Sequence, residues 1–110
     1  MELSTRAERG YTVIAAEGRI DTVTSTRFEA YCVAAIDAGA RRLVLDFAKL
    51  IYISSAGLSS VLAVAKHAAH SGGTFAISGL SGMVREVFSI SGFDGIVPVR
   101  SDVDEAIASV

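Results

Sequence analysis

Apolar positions change their period along the chain, and each change marks an element. Two β-like runs come first, over 3–8 and 11–17. In the second, Tyr11-Thr12-Val13-Ile14 joins an aromatic residue to β-branched ones, and Arg9-Gly10 between the runs predicts a hairpin. After Gly18-Arg19-Ile20-Asp21 and a Thr/Ser cluster, Thr26 with Glu29 three residues on fits a capping box. A helix is expected from there to about Ala38, with Phe28, Tyr31, Cys32, Ala35 and Ile36 at helical spacing and Gly39 as its stop. Leu43-Val44-Leu45-Asp46-Phe47 reads as a fully buried strand. In Ile51-Tyr52-Ile53-Ser54-Ser55-Ala56-Gly57, β-like residues give way to a serine pair where a second helix starts. Its expected stripe is Leu58, Val61, Leu62, Ala65 and Ala69.

A brief strand at 74–77 and a third helix over 82–91 follow, with Met83, Val84, Val87 and Phe88 facing inward. Ile96-Val97-Pro98-Val99 is an edge strand, since Pro98 cannot donate to a ladder. Ser101 with Asp104 marks the start of a closing helix that runs to the C-terminus. The resulting order is β-β-α-β-α-β-α-β-α. Such alternation implies an α/β domain with a mixed sheet and its helices mainly on one face.

Composition narrows the function classes. The 110 residues carry 10 Lys+Arg and 12 Asp+Glu, a formal net charge of −2, and no basic block, so nucleic acid is not an expected partner. One core fits this length and two do not, so a single domain over 1–110 is expected. Apolar stretches such as Val61-Leu62-Ala63-Val64-Ala65 fall far short of the about 20 residues that span a bilayer, so direct membrane insertion is not expected either. The first residues lack the apolar core of a signal peptide, and the single Cys32 cannot form an internal disulfide. Both lead to the expectation of a reducing cytoplasm.

Candidates for catalysis are sparse. His67 and His70 stand i, i+3 on the second helix without an evident third metal ligand, and they suit solvent-facing positions near the negative end of the helix dipole. Cys32 lies on an apolar stripe and reads as a structural thiol. Ser71-Gly72-Gly73-Thr74 follows a helix and lacks the ending of a phosphate-binding loop. Asp46 ends a buried strand, as the phosphoacceptor of receiver domains does, but the acidic pair and lysine that such domains need are missing. Neither cofactor nor metal is expected.

The informative segment is Ser54-Ser55-Ala56-Gly57-Leu58-Ser59-Ser60. It places small residues around the first turn of a helix, where unpaired amides and the dipole favour an anion, including a phosphate on a serine. One serine suffices for a cap, and a glycine inside the helix costs up to about 1 kcal/mol relative to alanine. A flat helix start of this kind admits a partner's backbone.

The run from Asp46 to Leu58 resembles the signature of STAS domains, especially bacterial anti-sigma factor antagonists. Gly18-Arg19-Ile20-Asp21 and Val87-Phe88-Ser89-Ile90-Ser91-Gly92-Phe93 match further family segments, so the likeness covers nearly the whole chain. The resemblance implies a binding switch and not an enzyme. In such systems the unphosphorylated antagonist binds an anti-sigma factor that is also a serine kinase. The kinase modifies a serine at the start of the second helix, and a serine phosphatase resets it. The commonest motif, Asp-Ser-Ser-Gly-Leu, places Ser54 at the aspartate, Ser55 at the first serine and Ala56 at the acceptor. Ala56 cannot accept phosphate, which leaves Ser55 as the implied acceptor and Ser54 as the alternative. The partner surface is expected at Asp21, Tyr52, Ile53, Ser54, Ser55, Ala56, Gly57 and Ser59. The second reading is a non-phosphorylated STAS subunit that docks on the ATPase of a lipid-transport ABC system, where a hydroxyl residue followed by Ala-Gly-Leu also occurs.

Overall fold

The computed structural model describes residues 1–109. It opens with strands β1 (Glu2–Glu8) and β2 (Tyr11–Ile20), paired antiparallel with Glu8 opposite Tyr11. Arg9 (φ 51°) and Gly10 (φ 81°) both take the positive φ that a two-residue hairpin turn of this twist demands. Then come α1 (Ser25–Asp37), β3 (Arg42–Asp46), β4 (Leu50–Ile53), α2 (Ser55–His70), β5 (Thr74–Ser78), α3 (Gly82–Ser91), a 3-10 turn (Phe93–Gly95), β6 (Val99–Arg100) and α4 (Val103–Ser109).

The sheet is mixed, in the order β1-β2-β3-β5-β6, with every pairing after the hairpin parallel. The segment before the serine pair is a strand in its own right. β4 adds to the expected order and pairs only with the last third of β2, Gly18 opposite Leu50 and Ile20 opposite Ile53. A register shift between Gly18 and Arg19, with Gly18 at φ 92°, lets β2 serve β3 with its first half and β4 with its second. β6 stands at the sheet edge as expected but spans only Val99–Arg100, so Ile96, Val97 and Pro98 lie outside it. The Pro98 carbonyl accepts from the Ile77 amide at 2.9 Å, which needs no donor from the proline.

Alternation along the strands divides the core. Ile14, Ala16, Leu43, Leu45, Phe75 and Ile77 face α1, α2 and α3, while Val13, Val44 and Ala76 face the other side, where Ala106 of α4 covers them. Three helices therefore lie on one face and the short α4 on the opposite one, and β3, covered on both sides, is apolar throughout its middle. On the larger side Phe28, Phe47, Phe88 and Phe93 form a continuous series, with ring centroids 6.0, 6.4 and 6.2 Å apart in tilted or edge-on contact. No helix among the described residues is long and apolar enough to cross a membrane.

Several local expectations change. Thr26 and Glu29 form no capping box. α1 starts at Ser25 with Thr24 as N-cap, and the Thr24 hydroxyl bonds back to Asp21 and not into the helix. The buried stripe of α2 is Gly57, Leu58, Ser60, Val61, Val64 and Ala68, whereas Leu62 and Ala65 are half-buried and Ala69 exposed. Two small residues, Gly57 and Ser60, turn the helix relative to a stripe counted from apolar residues alone. Met83 is exposed, and Val84 and Phe88 anchor α3. At α4, Ser101 pairs through its amide and hydroxyl with Glu105, and Asp102 accepts from the Glu105 amide at 2.8 Å. Asp104 instead pairs with Arg9 across the hairpin end. The closing helix ends at Ser109 within the described residues, and residue 110 lies outside them.

Two glycines with the same φ of 79° separate conformational strain from contact. A Cβ on Gly72 would meet nothing within 4 Å, but one on Gly79 would stand 2.9 Å from the Ala48 amide nitrogen. Gly72→Ala should cost about 1–2 kcal/mol, the left-handed penalty alone, and Gly79→Ala a further 1–3 kcal/mol or so from the backbone clash. Urea unfolding midpoints measure both, and equal losses would refute the contact.

Candidate functional site

Where β2 and β4 end, their last residues lie side by side, and the chain turns from each into a helix. The Ser54 amide donates to the Ile20 carbonyl at 2.9 Å, which sets the start of α2 beside the loop that leaves β2. This pairing brings Asp21, Tyr52, Ser54 and Ser55 to one end of the sheet, outside the carboxyl ends of the parallel strands.

The two serines differ. Ser54, in extended conformation, is the N-cap of α2, and its Oγ accepts from the Gly57 amide at 3.1 Å. Ser55 is the first helical residue. It is exposed, and its hydroxyl has no partner among the described residues. The amides of Ser55 and Ala56 stand in the first turn, where no intrahelical acceptor exists. Ala56 is half-buried and Ser59 exposed, so the helix start is low in relief.

Gly57 owes its identity to packing. A Cβ there would lie 2.7 Å from Ile53 Cγ1, 2.9 Å from Ile20 Cγ2 and 3.0 Å from the Ile20 carbonyl oxygen. The helix therefore approaches the two strand ends more closely than alanine allows. Ile53, expected on the partner surface, has 2% of its surface exposed and belongs to the core beneath this contact. Its side chain and the buried Gly57 support the site from below.

Asp21 organises the adjoining loop. Its Oδ1 accepts from the Val23 and Thr24 amides and from the Thr24 hydroxyl, each at 3.0 Å, and Thr24 Oγ1 accepts from the Asp21 amide at 2.9 Å. The Thr24 amide and hydroxyl, followed by the Val23 amide and the charge of Arg19, hold the Asp21 carboxyl below the usual aspartate value. Sequence reasoning missed Arg19, whose guanidinium lies 4.1 Å from the centroid of the Tyr52 ring in a cation–π contact. Gly18-Arg19-Ile20-Asp21 was the available signal, but the pairing depends on the β2–β4 register. Val23 (87% exposed) and Ile51 (67% exposed), on the segments bordering the serines, were missed too.

The other candidates take structural places. His67 Nε2 lies 2.7 Å from Asp37 Oδ1, joining the ends of α2 and α1. No group of three or more His, Cys, Asp or Glu able to hold a metal ion occurs among the described residues. Cys32 is fully buried, and burial pushes its thiol up to about 12. Asp46 accepts from the Ala48 amide at 3.1 Å and stands 3.7 Å from Arg6, a turn-forming role.

A mixed sheet carrying three helices on one face, with a serine-capped helix start beside an aspartate loop, defines an α/β domain of one family. The model described as STAS domain matches residues 2–106, and the chain belongs to this family. It is 39% identical over 109 residues to BtrV of Bordetella bronchiseptica, named as a candidate anti-sigma factor antagonist, covering 99% of this chain and 94% of that protein. Among solved structures it is similar to an anti-sigma factor antagonist of Mycobacterium paratuberculosis, with a TM-score of 0.90 at 23% identity over 99% of this chain and 92% of the other. The Bacillus cell-fate determinant SpoIIAA in its phosphorylated form gives a TM-score of 0.73 at 25% identity over 97% of each chain.

The division of labour between the serines has a stability signature. Ser54→Ala should cost about 1 kcal/mol through the lost cap, and Ser55→Ala should stay within about 0.5 kcal/mol of wild type. Chemical denaturation of the two variants checks this, and a reversed order would reassign the cap.

Asp21 links the loop to pH. A carboxyl held below its unfolded value stabilises the fold above that value, and the contribution is lost as pH falls through the folded one. Asp21→Asn should therefore destabilise the protein at neutral pH, and the deficit should shrink below about pH 4. Unfolding midpoints across pH 2.5 to 7 (roughly the carboxylate range and above) test the sign, and a deficit that grows in acid would contradict it.

Proposed function

We propose that this chain, read as one STAS domain over 1–110, is an anti-sigma factor antagonist of the cytoplasm. It acts by binding and not by catalysis. Its partner is an anti-sigma factor that is also a serine kinase, seated on Tyr52, Ser54, Ser55, Ala56 and Ser59 with the Asp21 loop at the edge. Phosphorylation of Ser55 switches the binding off, and a serine phosphatase restores it. The observation that carries this reading is the free hydroxyl of Ser55 at the first residue of α2, next to a Ser54 whose own oxygen is committed to the cap. That difference favours Ser55 over Ser54 as acceptor. The name of the Bordetella relative and the phosphorylated state of the SpoIIAA structure support the same reading.

Incubation with the host's serine-kinase anti-sigma factor and ATP, followed by mass spectrometry of the tryptic peptide over 50–66, tests the acceptor directly. A single phosphate on Ser55 is expected, absent from Ser55→Ala, together with at least about a hundredfold loss of affinity for the kinase, equivalent to 2.7 kcal/mol. Phosphate that persists in Ser55→Ala, or none at all with a kinase proven active on another antagonist, would overturn the assignment. Persisting phosphate would move the acceptor to Ser54, and its complete absence would put the transporter-subunit reading in place of this one.

A further inference from the structure

A cavity of about 360 Å³ opens between α3, the 3-10 turn, β6 and the start of α4. It lies beyond the carboxyl ends of β5 and β6, the edge of parallel sheets where ligands settle, and its size is at the lower end of small-molecule sites. Leu80 and Val99, with the fully buried Phe88 behind them, give it an apolar floor. Arg85 from α3 and Arg100 from β6 line it as well.

Both lining carboxylates are already engaged, Asp94 by a neutral donor and Glu105 by Ser101 with the charge of Arg100 adding to it. Asp94 accepts from the Ser89 hydroxyl at 3.1 Å, and Glu105 from the amide and hydroxyl of Ser101 at 3.1 and 2.7 Å. Neither forms a salt bridge with Arg85 or Arg100 among the described residues. Arg100 donates from Nε to Ser109 Oγ and from Nη1 to its neighbour's carbonyl. Arg85 has no side-chain partner among the described residues, so its fixed fork of donors stands beside an apolar surface.

We propose that this cavity binds a small organic anion, its carboxylate or phosphate head on Arg85 and Arg100 and its apolar body on Leu80 and Val99. Two arginines and two carboxylates leave the lining formally neutral, so charge alone does not hold the ligand. The guanidinium fork and the floor must act together, which disfavours a bare inorganic ion. The site is separate from the Ser55 surface, and its occupancy does not depend on the function proposed there.

Amide chemical-shift titration of the whole chain tests this with phenyl phosphate and benzoate as probes, and with benzylamine and inorganic phosphate as controls. Phenyl phosphate or benzoate should give saturable shifts at Arg85, Ser89 and Ser101 at about 1 mM or below, and the tighter of the two identifies the head group. Inorganic phosphate should bind at least about tenfold more weakly, the loss expected from an unburied ring, and benzylamine should leave these amides unmoved. Arg85→Gln, exposed and without contacts to lose, should weaken the tighter probe by about tenfold or more while the remaining amides keep their positions. Failure of both organic anions to saturate, equal binding of inorganic phosphate, or an unchanged affinity in Arg85→Gln would overturn the proposal.

Discussion

At the point where β2 and β4 end, the Ser54 amide meets the Ile20 carbonyl and the bare Cα of Gly57 rests against Ile20 and Ile53. The glycine costs the helix up to about 1 kcal/mol. Each isoleucine buried beneath it contributes about 1.5–3 kcal/mol, so close approach wins over helix propensity. Everything at the serine pair follows from that approach. Once Gly57 is seated, Ser54 must be the cap, Ser55 must begin the helix facing outward, and Leu58, Val61, Val64 and Ala68 must turn into the core. Ser60, on the same buried side, donates to the Ser25 carbonyl at 3.1 Å and so fastens α2 to the start of α1.

That seating has a rigid base because β2 serves two partners. Its first half is held between β1 and β3, and its second half leaves β3 at the register shift to carry β4. The ends of β2 and β4 therefore project as a two-stranded extension with α2 on one side. α3 packs on β4, and its Phe88 is enclosed between Phe47 and Phe93. A small, exposed surface is thus mounted on fully buried residues, the support that the proposed recognition site would need to keep its geometry.

The sequence pattern carried the long elements well. The hairpin, the extents of α2 and α3, and the burial of Leu43-Val44-Leu45 rest on periodicity and turn residues, which are local signals. β4 was not legible as a strand because four residues with one partner leave little periodicity, and its partner lies some thirty residues away across α1 and β3. Likewise, Asp21 and Thr24 close on each other and displace the capping box that Thr26 and Glu29 suggest, a competition that spacing alone does not rank. Ile53 and Gly57 illustrate the same limit at the candidate site. Both sit in the right segment, but only the β2–β4 register determines that they face the core, so a surface read from sequence included two residues that support it from beneath. The serine pair stood out in the sequence, whereas the difference between a capping and a free hydroxyl appears only with the backbone geometry.

That difference determines how a phosphate could act. A group added to Ser55 brings about −1.5 to −2 charges at neutral pH. It would sit at an exposed helix start, where the dipole and the first amides favour an anion by about 0.3–1 kcal/mol. No described residue bonds that exposed hydroxyl, so among them the fold has no hydrogen bond to replace. A partner pressed against Ser54, Ser55 and Ala56 faces a different balance, because it must strip water from the dianion, and an unpaired buried charge costs several kcal/mol. The asymmetry between a tolerant domain and an intolerant interface would be sufficient for the proposed switch, and it would require no second conformation of the domain itself.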